Sequence, residues 1–358
     1  MCSEIENAAL IGADPVRTEI DCDAFDFFAD KAQYLHDEWG RATQRDMGWL
    51  SARGRFVHLY VNGLYWGIYD LTEEPTSTFV SDHLGGAEEG WDVIKDGDAV
   101  DGVWVPEVED GDMAAYAEML EIVAADPEPD PADPADRESY VRLSELLDLE
   151  QHADYTLLQI YGANYDWPEK NYRAARNRAL AGRFWFFVWD FEHTTALRDA
   201  PERGLCLPRT DPATGECGYN ADTAGVGGLH GWLLHFPDYR MVLADRIDRH
   251  LIDPQGALAP AAAGARYAAL AAALDRAIVG EAARWGTPWP APMTAQVQRT
   301  IWRDYQARRG GAAQTPDMWR AERDRLLTGY FPRRSEQVLS QLCRLGLHPM
   351  AHAPRIAL

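Results

Sequence analysis

The sequence Asp166-Trp-Pro-Glu-Lys-Asn171, followed after a predicted hairpin by Phe184-Trp-Phe-Phe-Val-Trp-Asp190-Phe-Glu192, decides how this chain is interpreted. Asp166 supplies a carboxylate that can orient a nucleophile, and Asn171 supplies an amide oxygen that can hold a cation. Asp190 ends an apolar strand, where a second carboxylate can hold a metal ion against a phosphate. The two segments together predict a phosphoryl-transfer site that uses a divalent cation.

The same residues also have ordinary structural interpretations. Asp166 can cap a turn before Pro168, and Asp190 can close a strand. The order of the segments favours the site, because a helix before Asp166 and a strand before Asp190 can hold the side chains near one point.

Composition limits the classes of function. The 358 residues are enough to bury a large core in one large or two modest domains. A count of 57 Asp and Glu against 34 Lys and Arg gives a formal net charge of -23. Nucleic-acid binding is therefore disfavoured, because phosphate neutralisation supplies most of that affinity. No apolar stretch approaches the roughly 18 residues of a membrane-spanning helix, so no span is predicted.

Cysteine usage and the first residues bear on the compartment. The five cysteines are too sparse for a zinc ribbon or a disulfide framework, and a bridge between Cys206 and Cys217 stays open. The chain starts without a basic region and an apolar run, which predicts no signal peptide and a cytoplasmic location.

The most secure local prediction is a hairpin. Asn62-Gly63 stands between the apolar runs Arg55–Val61 and Leu64–Leu71, and this dipeptide is a strong signal for a tight β-turn. Before it, apolar residues recur at helical spacing from Asp30 to Met47, which predicts a helix.

The rest of the chain is predicted to be mostly helical. Glu73 to Asp136 is interpreted as loop-rich, with one helix over Met113–Ala125. Glu138 to Ile160 is predicted to form one long helix. Asp199 to Gly228 is loop-like in composition, and from Leu229 onward the pattern is helical almost to the end.

Three separated segments resemble the CotH family, the spore-coat protein kinases with an atypical kinase fold: Arg55–Glu73, Asn164–Arg173 and Phe184–Glu192. Ala277–Gly286 and Arg333–Leu339 are similar to the C-terminal half of many bacterial members. The resemblance implies an α+β, atypical protein-kinase-like fold. It implies a reduced N-terminal β lobe (1–80), a connector that forms an edge of the nucleotide cleft (81–136) and a large helical C-terminal lobe (137–358).

The resemblance also implies ATP-dependent phosphorylation of Ser or Thr in a protein or peptide, with Mg²⁺ or Mn²⁺. Asp166 matches the catalytic carboxylate, and Asn171 and Asp190 match the metal-binding positions. Lys95 matches a strand-end lysine that could approach nucleotide, although a solvated surface lysine at a strand end is the favoured interpretation. Glu73 matches a recurrent family Glu that either binds the nucleoside or pairs with an arginine.

One departure from the family leaves alternatives open. Members usually carry a glycine-bearing turn and a strand lysine ahead of the helix placed here at Asp30–Met47, whereas Lys31 stands at the start of that helix. The chain is then either an active kinase, a pseudokinase that binds or scaffolds, or a kinase-fold enzyme that transfers a nucleotide or an amino acid. A gene start set too late would make an exported or spore-coat location possible. The sequence does not indicate an oligomeric state.

Overall fold

The computed structural model describes residues 18–21, 33–100, 103–164, 167–168, 170–192, 194–195, 226–285 and 315–348. They form helices and two small sheets, as the α+β class predicts. The strands are β1 (Thr18–Asp21), β2 (Gly54–Val61), β3 (Leu64–Glu73), β4 (Trp91–Val100), β5 (Val103–Asp110), β6 (Tyr172–Asn177) and β7 (Trp185–Val188). The described helices are α1 (His36–Asp46), α2 (Ser77–Leu84), α3 (Ala114–Ala125), α4 (Pro134–Leu146), α5 (Leu149–Gly162), α6 (Val226–Leu233), α7 (Pro237–Ile247), α8 (Pro260–Leu274), α9 (Ile278–Trp285), α10 (Pro316–Arg325) and α11 (Phe331–Arg344).

The first sheet has the order β1-β3-β2, and its hairpin confirms the Asn62-Gly63 prediction. Both turn residues have positive φ, 52° and 80°, the backbone that Asn and Gly adopt most readily. Strand β1, ahead of α1, was not predicted. Its sequence Thr-Glu-Ile-Asp holds a single apolar residue, too little for a period-two signal.

The second sheet has the order β5-β4-β6-β7, with every pair antiparallel. The loop-rich interpretation of Glu73–Asp136 is therefore wrong, because α2, β4 and β5 lie there along with the predicted α3. Val93 and Ile94 are both fully buried, since the main core covers one face of β4 and a smaller cluster with α2 covers the other. Burial on both faces removes the alternation that marks a strand.

Two of the predicted helices are interrupted. Among the described residues from Gln33 onward, helix α1 begins at His36, because Tyr34 has a left-handed backbone (φ 63°). The single helix over Glu138–Ile160 is in fact α4 and α5. Asp148 caps the second of them by accepting from Gln151 N at 3.1 Å.

The described part of the C-terminal region is helical, as predicted, and it packs around α1 and α5. Trp39 of α1 stacks on Tyr161 at 5.9 Å and Phe191 at 6.3 Å between ring centroids. Pro316 occupies the first turn of α10, where proline is well tolerated. Most of the predicted 199–228 loop, with Cys206 and Cys217, lies outside the described residues. No described helix is both long and apolar enough to cross a bilayer.

A buried histidine sits in this core. His152 of α5 packs on Phe186 at 5.3 Å and lies 6.1 Å from His230, and neither of its ring nitrogens has a hydrogen-bond partner in the described structure. Burial lowers the pKa of His152 to about 3. The ring is therefore neutral in the folded protein, and protonating it at low pH lowers the stability of the fold.

We expect His152 to make the fold acid-sensitive. Its folded pKa is below the value of 6.5 for an exposed histidine, so the unfolded chain binds the proton first, and stability falls as pH drops below 6.5. Between pH 7 and 4.5 the loss should be about 3 kcal/mol. Urea unfolding of wild type, His152→Phe and His152→Gln at both pH values measures it. Both variants should lose this part of the pH dependence, whereas His58→Phe, which replaces an exposed histidine, should keep it. If the free energy of unfolding of both His152 variants falls between pH 7 and 4.5 as much as that of wild type, His152 is not the source of the acid sensitivity.

Candidate functional site

Asn171 and Asp190 lie side by side at the ends of neighbouring strands. Asn171 immediately precedes β6, Asp190 follows β7, and the register pairs Tyr172 with Val188. The Asn171 side-chain amide donates to the Asp190 carbonyl oxygen at 3.1 Å. Both residues have a left-handed backbone, φ 63° and 52°, which Asn and Asp adopt more readily than other non-glycine residues and which recurs at functional sites.

A third polar residue, Asp96 of β4, joins this pair. Its Oδ2 accepts from the Asn171 backbone N–H at 2.8 Å. Burial raises the pKa of Asp96, and the negative charge of Asp190 adds to the rise, while the Asn171 N–H and Arg173 lower it. Sequence reasoning missed Asp96. Its signal was a carboxylate on the same strand face as the fully buried Ile94, where an apolar residue is expected.

The predicted nucleotide-binding Lys95 lies on the opposite face of β4. Its Nζ is 2.7 Å from Glu109 Oε2, and the same oxygen is 3.6 Å from Arg173 Nη1. Arg173 also donates to Glu74 at 2.9 Å and lies 4.7 Å over the Trp189 ring. Both cations are therefore engaged by carboxylates of the neighbouring elements.

Glu73, the other predicted nucleotide-binding residue, ends β3. Its Oε2 accepts from the Arg53 backbone N–H at 2.9 Å, and its Oε1 lies 3.2 Å from His83 Nε2. The adjacent Glu74, which sequence reasoning also missed, is the residue that reaches Arg173. The predicted role of Glu73 toward a nucleotide stays a prediction.

The first turn of α1 fastens the segment that carries Asp190. Asp37 Oδ1 accepts from the Phe191 backbone N–H at 2.9 Å. His36 Nδ1 lies 2.9 Å from the Glu192 carbonyl oxygen and donates to it in the matching tautomer. The backbone next to Asp190 is thus held by two consecutive side chains of one helix.

A buried ion cluster connects α1 to the first sheet. Arg41, 1% exposed, pairs with Asp37 on its own helix and with Asp70 of β3. It also donates to Thr72 at 3.1 Å and to Glu38 at 3.2 Å. Arg41 thereby links β3, through Asp37, to the backbone beside Asp190.

A family model described as CotH kinase protein matches residues 30–310. The chain belongs to the CotH kinase family. The resemblance found in the sequence is confirmed, and membership suggests a kinase-like enzyme acting on protein. No curated protein matches the chain.

Kinases of this family imply ATP and a divalent metal in general. Asp190 and Asn171 offer oxygen atoms, which suit Mg²⁺, and this ion often takes only one or two carboxylates besides phosphate oxygens. In the part of the chain that the structure describes, no three His, Cys, Asp or Glu side chains form a complete protein-only site. One carboxylate and one amide oxygen fit a cation whose other ligands come from phosphate oxygens.

Asp166, the predicted catalytic residue, lies outside the described residues. Its neighbour Trp167 is buried, and its indole N–H donates to the Tyr155 hydroxyl of α5 at 2.8 Å. The end of the run at Asn171 is fixed by Asp96 and Asp190, as described above. The position of the Asp166 carboxylate relative to these groups stays a prediction.

Proposed function

We propose that the protein is an ATP- and Mg²⁺-dependent phosphotransferase of the CotH type that modifies Ser or Thr in a protein or peptide. The observation that carries this is the contact of Asn171 with Asp190 at the ends of β6 and β7, next to Asp96. Strand pairing brings an amide residue and a carboxylate residue together, and these supply the oxygen ligands that a divalent cation prefers.

Each residue has a stated role in this proposal. Asp190 and Asn171 hold Mg²⁺ or Mn²⁺, which when bound supplies charge neutralisation at the phosphate oxygens. Asp166 orients the acceptor hydroxyl and takes its proton as the oxygen bonds to the γ-phosphorus, while the bond to the bridging oxygen breaks and ADP leaves. Lys95 and Glu73 contact the nucleotide.

The same proposal extends to the architecture. We propose a kinase-like arrangement in which residues 1–80 form a reduced N-terminal lobe, 81–136 the edge of the nucleotide cleft and 137–358 the helical lobe. It is supported by the first sheet, by the α1 contacts to Phe191 and by the helical C-terminal region.

One observation favours a second candidate, a pseudokinase that binds or scaffolds. Lys95 and Arg173 are already engaged by Glu109 and Glu74. A phosphate group must compete with these carboxylates, which weakens nucleotide binding unless they move.

The two candidates differ in nucleotide binding and in product. We expect MgATP to raise the melting temperature of the wild-type protein, and EDTA to remove the shift. Mass spectrometry of Ser- and Thr-containing peptides incubated with MgATP should show an added phosphate. A shift without modification supports the pseudokinase, and an added nucleotide or amino acid indicates different chemistry. The absence of any shift and of any modified product would contradict the phosphotransferase.

A further inference from the structure

The pairing of strand β4 with β6 ends just before Asp96, and its pairing with β5 becomes irregular just after it. Its pairing with β6 ends at Lys95 opposite Arg173. On the other side Asp96 lies opposite Pro106 of β5, which has no N–H to donate, and the register shifts between Asp96 and Ala99. Regular backbone pairing is thus interrupted at the place where Asn171 approaches.

The Asp96 side chain takes over where the strand pairing stops. Asn171 is 4% exposed, and its N–H donates to the Asp96 carboxylate at 2.8 Å. A hydrogen bond to a carboxylate is stronger than one between neutral groups and can offset the cost of the left-handed backbone at Asn171. In this conformation the Asn171 amide reaches the carbonyl of Asp190 at 3.1 Å.

We propose that Asp96 is a positioning residue of the cation site: by accepting the Asn171 N–H, it fixes the turn that places the Asn171 amide against Asp190. The inference rests on the proposed function, since the positioned pair serves MgATP binding. Asp96 acts through Asn171 and needs no direct contact with the ligand.

The groups around Asp96 bear on whether it acts as a hydrogen-bond acceptor or through its negative charge. Asp190 and Arg173 are the charged groups that act on it, and Lys95 lies on the opposite strand face. Burial raises the pKa of the tyrosines around it, which are therefore neutral: Tyr116 of α3, Tyr155 of α5 and Tyr172 of β6. A neutral acceptor at position 96 can make the same hydrogen bond, so Asp96→Asn keeps the proposed role and Asp96→Ala removes it.

Calorimetric titration of the full chain with MgATP tests the role. Asp96→Ala should weaken binding roughly 10- to 100-fold, the loss expected for one hydrogen bond to a charged group. Asp96→Asn should stay within about threefold of wild type, because an acceptor remains. In the Asn171→Ala background, Asp96→Ala should add less than about a twofold loss, because the amide it positions is gone. Glu107→Ala, which removes an exposed carboxylate from β5, should bind as wild type does.

A second measurement needs no nucleotide. Hydrogen–deuterium exchange of a peptide covering residues 170–177 should be faster in Asp96→Ala than in wild type, and unchanged in Glu107→Ala. Unchanged exchange in Asp96→Ala would show that Asp96 does not hold this turn.

The outcomes separate the inference from the proposed function. If wild type does not bind MgATP, the proposed function fails and the positioning role falls with it. If wild type binds and Asp96→Ala binds equally well, only the inference is wrong. If the Asp96→Ala and Asn171→Ala losses are additive, Asp96 acts on the ligand directly, which also overturns the positioning role.

Discussion

Replacing Asp190 by alanine should abolish the stabilisation by MgATP and lower phosphate transfer roughly 100- to 1,000-fold, as loss of one preorganised electrostatic group does elsewhere. The reason is that Asp190, whose backbone carbonyl accepts from the Asn171 amide, supplies the proposed carboxylate ligand at the end of β7, and its negative charge acts on Asp96. Without it, fewer oxygen ligands remain for the cation, and the phosphate charge is less well neutralised. Thermal shift and phosphate incorporation, measured on the same preparations, report the two effects separately.

Asp166→Asn is the matched comparison. If Asp166 orients the hydroxyl and takes its proton, this variant should bind MgATP within about twofold of wild type and lose transfer by roughly 100- to 10,000-fold. Asp190→Ala should lose both. If MgATP stabilises Asp190→Ala as much as wild type, Asp190 does not hold the cation, whatever the effect on phosphate transfer.

Local sequence signals predicted the elements that depend on local chemistry. The Asn62-Gly63 turn, the β6–β7 hairpin and helix α3 follow from turn residues and periodicity within one segment. The elements that were predicted wrongly depend on contacts with distant parts of the chain. The chain breaks between α4 and α5 where Asp148 N donates to Phe184 O at 3.2 Å, a contact with the start of β7 that no local pattern contains.

The candidate site divides in the same way. The proximity of Asn171 and Asp190 could be predicted, because one hairpin separates them and their strands are adjacent in the chain. Asp96 lies on β4 and Glu74 follows β3, and each meets its partner across a long sequence separation, so spacing did not indicate them. Asn171 and Asp190 could be found from their spacing along one hairpin, and no such spacing marks residues that only the fold brings together.

The second large effect concerns Arg41, the cation at the centre of the ion cluster of α1 and β3. Arg41→Met should lower the free energy of unfolding at pH 7 by about 3 to 5 kcal/mol, because it leaves buried carboxylates without their partner. Asp37 would then hold the Phe191 N–H with one fewer constraint, so MgATP stabilisation should fall as well. Urea unfolding and thermal shift measure the two losses. Arg142→Met, which replaces an exposed arginine paired with the exposed Glu118, should cost about 1 kcal/mol or less.

Asp70 supplies the opposite test within the same cluster. Burial raises its pKa to about 6 even though Arg41 opposes the rise, and its Oδ1 has no hydrogen-bond partner among the described residues. A raised folded pKa means that the folded chain binds the proton first, so this contribution is present below pH 3.8 and is lost as pH rises through 6. As pH rises from 4 to 7, the free energy of unfolding of Asp70→Asn should therefore increase relative to that of wild type, by up to about 3 kcal/mol. The pH dependence that Asp70 contributes is opposite in sign to that of His152. Measuring the free energy of unfolding of each variant and of wild type at each pH separates the two contributions. If Asp70→Asn instead loses as much stability at pH 7 as Arg41→Met, the Asp70 carboxylate is needed as an ion-pair partner and its burial is not a net cost.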